Sequence, residues 1–260
     1  MQTMILYVSP LWTLLQTGYY ADGGGVSYSA AQAGMFLLIA VIGVVGYIVQ
    51  ARLQSVFKKY SQVPFPGGLT GAQVAEKMLR DNNIHNVKVT HVQGHLTDHF
   101  NPQTMTVNLS DSVYSSASVA AAAVAAHECG HAVQHARGYA PLVLRSQLVP
   151  VVQFASSMAT WVIMGGLLLL AVTQNAFVCW IGVGMIAMSA LFSIVTLPVE
   201  YNASARALEW LKVSRTMPAA QLSQAREALG WAARTYLVAA LSAVASVLYY
   251  VFLILGNRRN

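Results

Sequence analysis

The sequence predicts a mainly α-helical, polytopic membrane protein with about four transmembrane helices and a small α+β region outside the bilayer. Only 9% of the residues are charged and the mean hydropathy is +0.52. Soluble domains carry about a quarter charged residues, so this composition is typical of a membrane protein. A His-Glu-x-x-His motif lies in the more polar stretch between the first and second apolar segments, so that region is expected to carry the chemistry.

Four apolar stretches are long enough to cross a bilayer, which takes roughly 20 residues each. Residues 146–199 contain no charged side chain, and the polar triplet at 173–175 divides them into a helical hairpin. The first 20 residues are apolar but lack the basic start of a secretory signal, so we expect them at the membrane interface. The predicted spans lie near Ala31–Val49, Leu148–Val172, Ala176–Leu197 and Thr235–Leu255.

The net charge of +6 follows membrane topology rather than nucleic-acid binding. Basic residues follow the first span, precede the second and follow the third, while the segment before the first span has none. By the positive-inside rule, the loops that carry them are cytoplasmic. Arg258 and Arg259 conflict mildly with this orientation, because the tail then lies outside.

A small sheet and several helices are predicted for the polar segments. Thr70 can cap a helix, and a helix that starts among serines and ends at Gly138 carries the motif. Alternating apolar residues predict two short strands. The predicted helices are Ala72–Leu79, Ser115–Gly138, Glu200–Leu211 and Pro218–Arg234, and the predicted strands are Val87–Val92 and Thr104–Leu109.

The motif His127-Glu128-Cys129-Gly130-His131 has the spacing of a zinc site. Residues four apart share one face of a helix, so both imidazoles can bind one ion while Glu128 points beside it. Such a pattern can also arise by chance on a solvated helix. The Ala-rich run before the motif argues against chance, because unpaired charge in a partly buried helix is costly.

A catalytic zinc needs a third protein ligand. His135 lies too far along the same helix to share an ion with His127, and a metzincin would require Gly at 134 and His at 137. Glu200 is the stronger candidate, because it is the first charge after 54 uncharged positions. The alternative is an interfacial ion pair with Arg206.

The chain resembles the bacterial membrane zinc metallopeptidase family known as YugP-like or neutral zinc metallopeptidase. The resemblance covers nearly the whole chain after its N-terminus and is more specific than the motif alone. The matching stretches are KKYSQV at 58–63, GLTGAQV at 68–74, GHLTDHF at 94–100, VAAHECGHAVQ at 124–134 and LPVEYNASAR at 197–206.

The resemblance implies a gluzincin-like region at the cytoplasmic face, in which His127, His131 and Glu200 bind one Zn²⁺ per chain. Glu128 is then general base and proton donor. Glu200 also matches the Glu-x-x-Ala-Asp segment of HtpX-type membrane proteases, although Ser204 replaces the Asp. Asn101 and Asn202 stand where relatives tend to have Asp. The candidates for transition-state stabilisation or outer contacts are Tyr201, His99, Arg206 and Tyr114.

The strand before the motif helix occupies the place of the substrate-binding edge strand of related zincins. We therefore expect extended substrate to pair with Thr104, Met105, Thr106, Val107, Asn108 and Leu109.

The predicted organisation is an N-terminal segment with the first span at 1–57, a zincin region at 58–147, a hairpin at 148–197, a third-ligand helix with cytoplasmic helices at 198–234, and a last span with a tail at 235–260. The expected activity is proteolysis of membrane-associated or misfolded proteins at the bacterial inner membrane. Expected partners are lipid, protein or peptide substrates, and membrane proteins or further copies of the chain, with no nucleic acid.

Two other functional classes, a zinc-binding scaffold and a transporter, are alternatives to the peptidase. A zinc-binding scaffold or adaptor would have a fourth protein ligand, for which His95, His99 and His135 are candidates. A transporter is disfavoured, because the spans hold no ionisable residue away from their ends.

Overall fold

The computed structural model describes residues 30–256, so the prediction for the first 20 residues lies outside the described part. Seven α-helices and three short strands make up this part of the chain, and a single turn of 3₁₀-helix lies at Pro66–Gly68. The helices are α1 (Ala30–Ser61), α2 (Gly71–Asp81), α3 (Asp111–Tyr114), α4 (Val119–Ala136), α5 (Ala140–Thr173), α6 (Phe177–Val213) and α7 (Ala219–Gly256), and the strands are β1 (Lys88–Val92), β2 (His99–Asn101) and β3 (Thr106–Ser110).

Four of the described helices are long and apolar enough to cross a membrane, which confirms the predicted number. They expose large apolar side chains: Trp161 is 70% exposed and Val172 is 77% exposed. In water this surface would carry a large hydrophobic cost, whereas lipid tails solvate it. The four apolar stretches lie at Gly34–Ser61, Ala140–Thr173, Phe177–Val213 and Ala219–Leu255.

These long helices extend well beyond the predicted spans. Pro198 lies inside α6, which continues through the predicted helix Glu200–Leu211 to Val213, and Pro150 lies inside α5. The separate helix predicted at Pro218–Arg234 is the beginning of α7. A proline removes one backbone donor, and long membrane helices tolerate it because neighbouring groups satisfy the freed carbonyl.

The chain forms two compact units. One, which we call the motif unit, comprises Ile48–Leu144 and Thr196–Tyr236. The other, the span unit, comprises 30–47, 145–195 and 237–256 among the described residues. The span unit has its own apolar cluster, in which Ile163, Leu170 and Ile254 are buried.

The core of the motif unit forms around α4. The alanines of its first half are buried, and α2 packs against it with Val74 and Met78. Small alanine side chains let neighbouring backbones approach closely, so the motif that follows enters a dense interior. The sheet contributes Val107 and Leu109 to the same core.

The sheet has the order β1-β3-β2, with β1 parallel and β2 antiparallel to β3. The predicted edge strand is therefore wrong: β3 is central, and neighbours on both sides use its backbone hydrogen bonds. Thr104 and Met105 lie in the turn before it, where Met105 has a positive φ of 52°. The antiparallel pairing of β2 with β3 places His99 opposite Asn108.

Capping residues define the helices near the site. The Thr70 hydroxyl oxygen accepts the backbone N–H of Gln73, and Oε1 of the Gln73 side chain accepts the backbone N–H of Thr70, so the predicted cap is confirmed as a full capping box. The motif helix begins at Val119 rather than Ser115, because the Ser118 hydroxyl accepts the N–H of Ala121 and separates α4 from α3.

Candidate metal centre

Helix α4 places the two motif histidines on one face, one turn apart. The ring centroids of His127 and His131 are 4.8 Å apart and their planes meet at 82°. His131 is buried and His127 is half-buried, so both rings lie at the border between the core and solvent. The spacing of four residues produces this pair directly, as the sequence predicts.

Helix α6 supplies the third side chain. Oε2 of Glu200 lies 3.3 Å from Nε2 of His127 and 3.6 Å from Nε2 of His131. Glu200 is only 2% exposed. Among the residues of the described range, these three form the group that can hold a metal ion, with ligand atoms within 4.8 Å of one another.

The two histidine-to-carboxylate distances fit a tetrahedral zinc site. Zinc binds imidazole nitrogen and carboxylate oxygen at about 2.0–2.1 Å, and tetrahedral angles then separate the ligand atoms by about 3.4 Å. The two histidine-to-carboxylate distances, 3.3 and 3.6 Å, bracket that value. Two neutral nitrogens and one anionic oxygen are also the donor set of several catalytic zinc sites.

A close contact between helix backbones makes this arrangement possible. A Cβ built on Gly130 would lie 2.6 Å from the carbonyl oxygen of Ala203, which is far too short for a real contact. Gly130 stands between the two histidines, and Ala203 lies one turn after Glu200. The missing side chain therefore lets α6 approach α4 closely enough for Glu200 to reach the histidines.

Each histidine has a hydrogen-bonding partner at its other ring nitrogen. Nδ1 of His127 lies 3.1 Å from the hydroxyl oxygen of Ser204. Nδ1 of His131 lies 3.0 Å from Oε1 of Gln134. Such outer partners orient zinc-binding histidines, and a partner that can only accept also sets which nitrogen carries the proton. Ser204, which stands where HtpX-type proteases carry Asp, thus contacts His127 through a hydroxyl group.

Glu128 lies next to the site without belonging to the ligand group. It is 8% exposed, and its Oε2 accepts the backbone N–H of Phe100 at 3.1 Å. Burial raises the pKa of Glu128 to about 7. A carboxyl group with a pKa near neutrality can both accept and release a proton at that pH, which general acid–base catalysis requires.

Asp98 holds the strand that touches Glu128. It is buried, and its carboxylate accepts both the backbone N–H of Ser110 at 2.8 Å and the Ser110 hydroxyl at 2.9 Å. Burial raises the pKa of Asp98 above its ordinary value. These bonds attach the start of β2 to the end of β3 and so fix the position of Phe100.

The structure gives the other predicted site residues specific neighbours. Arg206 donates its Nε–H to Oδ1 of Asn202 at 2.7 Å, and His99 bonds to Thr97 and Asn108. The ring of Tyr114 packs against His91, and Tyr201 is 49% exposed. Their roles in the reaction stay predictions.

The three histidines considered as a fourth ligand lie in other surroundings. His95 packs edge-on against Phe57, and the ring of His135 packs against Phe100. Both of these side chains and His99 are exposed, and within the described residues none of the three belongs to the ligand group.

Sequence reasoning missed Gln134, Gly130 and Asp98 as site residues. All three lie in stretches that resemble the metallopeptidase family, and that was the available signal. Their contacts join segments far apart in the chain, so no local pattern predicts them.

Comparison with known proteins agrees with this site. The family described as "putative neutral zinc metallopeptidase" matches residues 35–255. The chain belongs to this family. The "putative membrane protease YugP" of Bacillus subtilis (strain 168) is 39% identical over 226 residues, covering 86% of this chain and 97% of that protein. No solved structure matches the chain. The family description implies zinc, for which the His127, His131 and Glu200 group provides a site.

Proposed function

We propose that the chain is a zinc-dependent endopeptidase of the bacterial inner membrane, with one zinc ion per chain. Its substrates are membrane-associated or misfolded proteins, cleaved at the cytoplasmic face. The observation that carries this proposal is the convergence of His127, His131 and Glu200 beside a buried Glu128. Two histidines from one helix and a glutamate from a later helix form the ligand set of a gluzincin-like site.

The chemistry divides between the metal and Glu128. When bound, zinc supplies Lewis-acid activation of water and of the peptide carbonyl. Glu128 accepts the proton of the attacking water and later delivers it to the leaving amine. The hydrogen bond from the Phe100 N–H holds the Glu128 carboxylate in place for both transfers. A site with three protein ligands leaves a position for water, as catalytic zinc sites do.

The cytoplasmic orientation rests on the distribution of basic residues around the apolar helices. Lys58 and Lys59 lie in the last turn of α1, and Lys212 lies in the last turn of α6. By the positive-inside rule these ends face the cytoplasm. Lys58→Cys should therefore resist labelling by a membrane-impermeant thiol reagent in intact cells. The native cysteines Cys129 and Cys179 are buried, so they should add little background labelling. Labelling of intact cells at position 58 would reverse the orientation.

Extended substrate is proposed to pair with β2, which is an edge strand of the sheet. The N–H of Phe100 points toward Glu128 and therefore away from β3, so the free edge of β2 adjoins the general base. Phe100→Pro removes this donor. Because the same N–H holds Glu128, Phe100→Pro should lower kcat/KM for a peptide at least tenfold with zinc still bound, and an unchanged kcat/KM would refute the placement of substrate along β2 beside Glu128.

The decisive experiment measures zinc content and casein cleavage for the wild type and Glu128→Gln. Glu209→Gln is the matched control, because Glu209 is exposed on α6 and outside the site. All three proteins should hold one zinc ion per chain. The wild type and Glu209→Gln should cleave casein, while Glu128→Gln should be slower by about 10²–10⁴-fold, the usual contribution of a general base.

Equal cleavage by Glu128→Gln would refute its role as base. A wild type that binds zinc but cleaves neither casein nor a membrane-bound substrate would favour the zinc-binding scaffold or adaptor. For the peptidase we propose membrane lipid and protein or peptide substrates as partners, with membrane proteins or further copies of the chain as additional ones. We propose no nucleic-acid partner.

A further inference from the structure

Gln134 is a completely buried polar side chain beside the metal ligands. It lies one turn after His131 on α4, and its Oε1 is 3.0 Å from Nδ1 of that histidine. Its Nε2 donates to the carbonyl oxygen of Val199 at 2.8 Å and to Oδ1 of Asn202 at 3.0 Å. Val199 and Asn202 flank Glu200 on α6. One amide group therefore joins both helices that supply metal ligands.

The partners of Gln134 determine where the proton of His131 lies. A backbone carbonyl only accepts hydrogen bonds, so the NH₂ group of the Gln134 amide must face Val199. Oε1 must then face His131, and because this oxygen also only accepts, Nδ1 must carry the proton. In the neutral imidazole, Nε2 of His131 then keeps the lone pair that a metal ion would take, and this nitrogen lies 3.6 Å from Oε2 of Glu200.

Asn202, the partner of Gln134 on α6, is itself held in place by a hydrogen bond. Oδ1 of Asn202 accepts both the Gln134 amide and the Nε–H of Arg206, which lies one turn further along α6. Arg206 therefore keeps the Asn202 oxygen turned toward Gln134. The other histidine differs, since the partner of His127 is the Ser204 hydroxyl, which can either donate or accept and so does not set the tautomer.

We propose that Gln134 is a positioning residue of the zinc site. It fixes the tautomer and ring orientation of His131 and ties that ring to the helix segment that carries Glu200. The inference rests on the zinc site of the proposed function, and it is independent of peptide hydrolysis. It is tested by metal binding, without any measurement of cleavage.

The experiment measures the zinc affinity of the full chain in detergent by competition with a chelating dye. Gln134→Leu removes every hydrogen bond, and its affinity should fall about 10–100-fold, the usual effect of losing an outer partner of a ligand. Gln134→Glu keeps an acceptor for His131 but loses the donor to Val199, so its affinity should lie between those of Gln134→Leu and the wild type. Gln62→Leu, the same change at an exposed position of the motif unit, should equal the wild type.

A spectroscopic measurement separates positioning from folding. Cobalt substituted for zinc should show an altered visible absorption spectrum in Gln134→Leu, because the field at the metal changes when His131 turns. Asn202→Ala, which cuts only the far end of the connection, gives a second test should Gln134→Leu fail to fold. Its zinc affinity should fall several-fold.

Three results would overturn the inference. These are a Gln134→Leu affinity within twofold of the wild type, a Gln134→Glu protein that binds as weakly as Gln134→Leu, or an unchanged cobalt spectrum. A wild type that binds no zinc would instead overturn the proposed function together with this inference. The two failures are therefore distinguishable.

Discussion

The contact at Gly130 provides a quantitative test of how the metal site is built. In Gly130→Ala the new Cβ would lie 2.6 Å from the carbonyl oxygen of Ala203, whereas ordinary contact begins at 3.4 Å. The helices must therefore separate locally by about 0.8 Å, the difference between these two distances. Metal–ligand distances tolerate only about 0.2 Å. The displacement of Glu200 should thus lower zinc affinity by at least 100-fold.

Thermal stability gives a second readout. Gly130→Ala should be less stable than the wild type, whereas the same substitution at a control glycine, Gly230, should be more stable. Overpacking costs about 1–3 kcal/mol, which outweighs the gain of up to about 1 kcal/mol from replacing glycine in a helix. Gly230 lies in α7, and a Cβ added there would have no atom within 4 Å. Gly230→Ala should therefore raise the Tm, because it meets no steric clash. Zinc affinity is measured by chelator competition and Tm by thermal unfolding in detergent. Zinc binding by Gly130→Ala within twofold of the wild type would refute the reasoning.

Three further substitutions separate the parts of the site. Glu200→Gln removes the anionic ligand, so zinc affinity in the competition assay should fall more than about 100-fold, beyond the loss expected for an outer contact. Ser204→Ala removes only the partner of His127 and should cost about tenfold; no change would mean that water replaces the hydroxyl. Asp98→Ala leaves the N–H and hydroxyl of Ser110 buried without their acceptor, which should destabilise the motif unit by about 1–3 kcal/mol while zinc affinity changes less than tenfold. An unaltered Tm for Asp98→Ala would contradict that account.

Local patterns predicted the features that depend on a single segment. Helical spacing predicted the pairing of His127 with His131, and long apolar runs predicted the four membrane-length helices. The cap at Thr70 was also predicted, and the structure extends it to a capping box with Gln73, three residues further on. In each case the determining interaction lies within one or two helical turns or within one continuous stretch.

Features that depend on distant segments were not predictable in the same way. Alternation in Thr104–Leu109 predicts a strand, but it does not say whether that strand lies at the edge or in the centre of a sheet. Pro198 is typical of a helix boundary in water, yet α6 continues through it. The partners of Gln134 are 65 and 68 residues away, so only the folded chain reveals them.

The order of the ligands along the chain has a consequence for biosynthesis. His127 and His131 precede α5, whereas Glu200 lies deep in α6, after the whole of α5 and much of α6 have been synthesised. A nascent chain that ends at Thr173 carries Glu128 and the two imidazoles but lacks the Glu200 carboxylate, the third member of the candidate metal group. The candidate metal group is therefore completed late in translation, once α5 and the part of α6 up to Glu200 have been made, and a shorter nascent chain lacks one of its three members.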